Sequence, residues 1–113
     1  MHRIALLGFI APLLVAPAAA QQFQGNWVCS DGAERSGLLT IYGGSYGFAS
    51  KLFGDTASGT GGLTGYSDGV AFEDGALKAV LGVEVGRLVT ADTGGILMRL
   101  ESSSVVLMMC APR

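Results

Sequence analysis

Three carboxylates fall close together at Asp68, Glu73 and Asp74, and two cysteines stand far apart at Cys29 and Cys110. Neighbouring acids can run general acid–base chemistry or hold calcium. Neither pattern is complete here. Asp68 and Asp74 each precede a glycine, a pairing that serves tight turns, and the three acids lack the every-second-residue spacing of a calcium loop. The only histidine is His2. Neither Lys51 nor Lys78 lies in a Ser-x-x-Lys arrangement that could activate a serine. The sequence therefore points away from an enzyme: no catalytic residue, no metal site and no cofactor is expected.

The cysteines carry a different chemistry, set by compartment. Residues 1–20, MHRIALLGFIAPLLVAPAAA, place Arg3 ahead of an apolar stretch and end in Ala18-Ala19-Ala20. That is the pattern of a cleavable signal peptide. Pro12 and Pro17 interrupt the stretch, which is shorter than the ~20 apolar residues a membrane span requires. The expected mature chain is residues 21–113, a single domain, periplasmic or secreted. No cysteine follows the cleavage position, so no membrane anchor is expected after it. His2 leaves with the signal. Six basic residues then face nine acidic ones, a formal charge of −3. The basic residues are scattered singly, which argues against nucleic acid or an anionic membrane as partner.

In an oxidising compartment two cysteines read most simply as one disulfide, Cys29 to Cys110. It would close a loop spanning nearly the whole mature chain, and the chain-entropy account assigns such a loop about 4.5 kcal/mol. A domain of this size has a marginal core, so the link matters.

The elements that must carry these residues read as short strands. Eighteen glycines, all but Gly8 in the mature part, fall between short apolar runs, and the alternation is closer to period two than to a helix. Strands are expected at Asn26–Ser30, Gly37–Tyr42, Tyr46–Leu52, Leu63–Tyr66, Val70–Glu73, Val83–Thr90, Ile96–Glu101 and Val105–Cys110. Turns fall at Asp31-Gly32, Gly43-Gly44, Ser67-Asp68-Gly69 and Asp74-Gly75. Ala76–Leu81 fits a strand or a short helix. Val83, Val85, Arg87 and Val89 should share one face. Both faces of Val105–Cys110 are apolar, which predicts a central or doubly covered strand.

Eight or nine short strands with glycine-rich turns predict an all-β fold, a small antiparallel β-barrel or, alternatively, a β-sandwich. A link between first and last strands favours closure. Trp27, Tyr42, Tyr46, Phe48, Phe53, Tyr66 and Phe72 could fill the core or line a ligand cavity. The polar stretch Gly54–Gly62 is the expected exposed loop.

Four features resemble the periplasmic inhibitors of c-type lysozyme, which are small β-barrels. They are Trp27-Val28-Cys29 at the start of the domain, Leu39-Thr40-Ile41 followed by Gly43, Gly44 and Tyr46, the loop triplet Ala57-Ser58-Gly59, and the terminal Cys110. The resemblance implies that Ser58 is the residue that enters a hydrolase cleft. The chain departs from that family where Thr60-Gly61-Gly62 replaces an aromatic, and where Glu73-Asp74 stands in place of a basic residue.

The expected function is an exported, non-catalytic binding protein. Its candidate contact loop is Asp55, Thr56, Ala57, Ser58, Gly59 and Thr60, and its partner an envelope or extracellular protein such as a lysozyme-like hydrolase. A carrier of a small apolar ligand and an envelope structural protein are the alternatives.

Overall fold

A computed structural model describes residues 23–32, 36–51, 58–103 and 105–113. The expected signal peptide, with its cleavage position, lies outside them. Eight strands run β1 (Gly25–Ser30), β2 (Ser36–Tyr42), β3 (Ser45–Ser50), β4 (Gly59–Tyr66), β5 (Gly69–Phe72), β6 (Val85–Thr90), β7 (Ile96–Ser102) and β8 (Val105–Pro112). Each pairs antiparallel with its sequence neighbours, and β8 returns to β1, so the sheet closes into a barrel. The sandwich alternative is excluded by that closure. Ala76–Leu81 resolves as one turn of helix, α1 (Ala76–Ala79), with Leu77 buried.

The seam joins β1 to β8 through four residue pairs, among them Cys29 opposite Cys110. Their sulfurs are bonded, and both side chains are buried. The disulfide therefore lies on the inward face, where the closing strands meet. No described cysteine is free.

Alternation decides what faces inward. On β2, Leu39 and Ile41 are buried while Tyr42 is exposed. On β3, Tyr46 and Phe48 are buried, and the Tyr46 ring meets Phe72 edge-on at 5.1 Å. β8 is the expected central strand, paired with β7 and β1, but it is not doubly covered. Met108 and Cys110 point in, while Val105, Val106 and Met109 face solvent. Closure removes edges without covering the outer wall. A register shift between Leu100 and Glu101 adds a residue to β8 there, which breaks its alternation and leaves both valines outside.

On β6, Val85, Arg87 and Val89 share one face, and that face is the outer one. Its inward positions are Gly86 and the partly buried Leu88, while Arg87 is outward and Val85 and Val89 are only half-buried. A Cβ on Gly86 would stand 2.9 Å from the Met98 sulfur and 3.2 Å from Leu100. Glycine is inward because β7 fills that space. Val83 is buried, but it precedes the strand and belongs to the connection from α1.

Because the strands alternate in direction, connections after β1, β3, β5 and β7 gather at one end, here called the helix end. Those after β2, β4 and β6 gather at the other, with Phe23 and Arg113. At that second end Phe23 is buried, and its carbonyl accepts the Trp27 indole N–H at 3.0 Å. Gln24 makes two hydrogen bonds to the backbone of Gly43. Sixteen apolar side chains, each at most 7% exposed, form the core. An eight-stranded barrel has about enough interior for its own side chains and no more.

Replacing Cys29 and Cys110 together by alanine should lower the unfolding free energy by about 4 kcal/mol. Urea denaturation of the oxidised protein and the double variant measures this. A loss below ~1 kcal/mol would mean that strand pairing alone holds the seam.

Candidate functional site

The predicted contact loop falls at the helix end. Asp55, Thr56 and Ala57 lie outside the described residues. Ser58 is exposed immediately before β4, and its hydroxyl oxygen accepts the Ser50 backbone N–H at 2.9 Å. That bond ties the end of β3 to the start of β4, so Ser58 stands at a fixed place on the rim. Gly59 and Thr60 are strand residues, opposite Phe48 and Gly47. The sequence reading of 54–62 as one loop is thus corrected: Gly59 to Gly62 pair with β3.

The reason lies in the connection from β5 to β6. It packs across β4 so closely that a Cβ on Gly61 would sit 2.4 Å from the Asp74 carbonyl oxygen and 2.8 Å from the Gly75 Cα. Gly75 takes φ +90°, a conformation that favours glycine. Two glycine backbones meet where side chains could not fit. Residues that look like flexible loop by composition are therefore a strand kept bare for contact.

Tyr46 fixes this connection from below. Its hydroxyl donates to the Asp74 carbonyl at 2.8 Å and accepts the Leu77 N–H at 3.1 Å. Burial pushes the phenol above its ordinary pKa, against hydrogen bonds from the backbone near Leu77 and Lys78 that lower it. The first turn of α1 thereby satisfies one of its unpaired N–H groups with a core tyrosine. Leu77 is buried beneath it and stoppers this end of the barrel.

The three acids are separated. Asp74 accepts the Gly62 N–H at 2.8 Å, and the Glu73 carboxylate accepts the Thr64 hydroxyl. Both strap the connection to β4. Asp68 sits in the turn at the opposite end, 3.8 Å from Arg87. Its turn forms differently from expectation, since Gly69 does not use the left-handed region; a Cβ there would overlap the Gly86 carbonyl oxygen at 2.2 Å. Among the described residues no three acids, histidines or cysteines gather as a metal-binding group.

Sequence reading missed Glu101. Arg87 and Arg99 stand opposite each other across β6 and β7, so two basic residues far apart in sequence are neighbours in space. Glu101 bonds both, to Arg87 at 3.0 Å and to Arg99. The arginines cover it, and it is only 4% exposed although it lies on the wall of the barrel. Burial alone would raise its pKa, but the hydrogen bonds and charges of Arg87 and Arg99 outweigh burial and hold it below the usual carboxylate range. The signal available was Arg99-x-Glu101, two residues apart and so on one face of a strand.

The aromatics divide as well. Trp27, Tyr46, Phe48 and Phe72 are core, whereas Tyr42 and Tyr66 are exposed on outward positions. Phe53 lies outside the described residues.

Comparison of the chain with protein-family models, with curated proteins and with solved structures finds no match. The fold is a disulfide-closed, eight-stranded antiparallel barrel stoppered by one helical turn.

Two measurements probe this framework. Tyr46→Phe leaves the Leu77 N–H buried without its partner and should cost about 1–3 kcal/mol, with faster amide exchange at Leu77; unchanged exchange would show that the tyrosine does not anchor α1. Glu101 has a lowered pKa when folded, so its contribution is complete above the unfolded carboxylate value of about 4.3 and declines as pH falls below it. Glu101→Gln should lose about 1–2 kcal/mol at pH 7, and much less relative to wild type at pH 2, by urea titration at both pH values.

Proposed function

We propose that this protein is an exported, non-catalytic barrel that acts by binding a protein partner at its helix end. The observation that carries this reading is the position of Ser58. It is exposed on the rim, pinned to β3 through Ser50, and flanked by a connection that Tyr46 and the Gly61–Gly75 contact hold rigid. Binding residues held on a firm scaffold are the usual arrangement for recognition. A buried disulfide suits an oxidising compartment, which supports a periplasmic or secreted location.

The resemblance to inhibitors of c-type lysozyme gives the partner its class, a lysozyme-like hydrolase, with Ser58 as the residue that would enter the cleft. A closed barrel with a disulfide between first and last strands agrees with that reading. The alternative of an internal carrier is disfavoured by packing. A cavity wide enough for a ligand would leave its lining side chains accessible, and the sixteen inward residues have almost no accessible surface. A membrane-spanning barrel is disfavoured too. Its strands need about 9–11 residues, and these have four to eight around an apolar interior.

Purified protein added to a c-type lysozyme should slow lysis of bacterial cells at near-stoichiometric amounts. Ser58→Tyr should weaken inhibition at least tenfold while leaving the circular dichroism spectrum unchanged. Undiminished lysis with a tenfold excess of wild-type protein would rule out the inhibitor reading.

A further inference from the structure

The described basic residues fall into two groups. Arg87 and Arg99 are engaged by Glu101 and Asp68, whereas Lys51, Lys78 and Arg113 stand outside every ion pair among the described residues. Two of those three line the same feature, a cleft of about 480 Å³ on the outer wall of β1 to β3. Its floor is a cross-strand row, Val28 opposite Leu38 and Leu38 opposite Ala49. Val28 is 47% exposed, a large apolar side chain uncovered at one end of the row. The small side chain of Ala49 keeps the floor low.

The cations mark the ends of this floor. The Arg113 N–H bonds the Asn26 carbonyl oxygen, and Asn26 stands opposite Thr40 of β2. The Lys51 N–H bonds the Ser36 carbonyl oxygen. Four residues of β2 separate those two levels, about 13 Å along the strand. An apolar trough therefore runs obliquely across three strands with a cation at either end. Concavity, mostly apolar lining and a few polar groups are the marks of a small-ligand site.

We propose that this cleft binds one long-chain carboxylate, a free fatty acid, with its acyl chain on Val28, Leu38 and Ala49 and its headgroup on Lys51. Charge selects the headgroup. In a chain with more acidic than basic residues, two cations without ion-pair partners border this one cleft. A bilayer surface is the poorer occupant, because it calls for clustered cations on an exposed face, and these stand apart at the ends of a trough. The site is on the opposite side of the wall from Trp27; its Lys51 end adjoins Ser50, whose N–H Ser58 accepts, so Val28, on β1, is the position that separates it from the Ser58 rim.

Calorimetric titration of the purified protein with laurate, below its micelle concentration, tests the assignment. One saturable site is expected, at least tenfold weaker for dodecanol, which has the same chain without the charge. Lys51→Glu should weaken laurate at least tenfold, and Val28→Glu should abolish binding. Val80→Glu, at the helix end, should change nothing, and Trp27 emission should stay constant throughout because the indole points inward. The assignment is overturned if dodecanol equals laurate, if Lys51→Glu binds as wild type, or if no saturation is reached. It is also overturned if Trp27 emission shifts while Val28→Glu still binds, or if phosphatidylglycerol vesicles bind and free laurate does not. Val28→Glu faces solvent and should retain lysozyme inhibition, which separates failure of this site from failure of the rim.

Discussion

Closure of the sheet at the β1–β8 seam is the constraint on which the rest of the structure depends. Every other strand pair joins neighbours in sequence, where a short connection keeps the loop-closure cost small. The seam joins residues 81 apart in sequence, and without it the outermost strands would each present an unpaired edge. The Cys29–Cys110 bond makes that long-range contact part of the covalent structure. It also places two sulfurs in the core, where they pack as apolar groups against their inward neighbours.

Once the sheet is closed, its ends must be filled, and the two ends are filled differently. Phe23 and Trp27 close one from the first residues of the domain. The other is closed by an excursion of the chain between β5 and β6, which carries Leu77 over the opening. Tyr46 joins the two levels, because its ring is core and its hydroxyl is the partner of the excursion. A core residue thus determines the shape of a rim. The same coupling explains why β4 is so rich in glycine: the strand serves as pairing partner on one side and as a bed for backbone on another.

Much of this was legible in the sequence, for identifiable reasons. Short alternating runs such as Gly37–Tyr42 reported strands because each has one wet and one dry face, and the cysteine positions reported closure. Ala76–Leu81 stayed ambiguous because a single helical turn is too short to display a period. The shared face of Val85, Arg87 and Val89 was legible, but not that it is the outer one, because the inward position is a glycine whose reason lies on β7. Tyr42 and Tyr66 looked like core by type, but outward parity decided otherwise. The Gly59–Gly62 strand was hidden by its composition, and the Arg87–Glu101–Arg99 cluster by sequence distance. For β6, β4 and the Glu101 cluster the missing information was a neighbour contributed by another segment of the chain.

The hydrogen bond from Arg113 to Asn26 places the last residue beside the first strand, next to the pole that Phe23 seals. Phe23 and Arg113 therefore lie at one pole of the barrel, and Ser58 lies at the other. A surface that gripped the barrel at the Phe23 pole would hold it like a stem and leave the far pole facing outward. Orientation on a support comes from the covalent path of the chain itself.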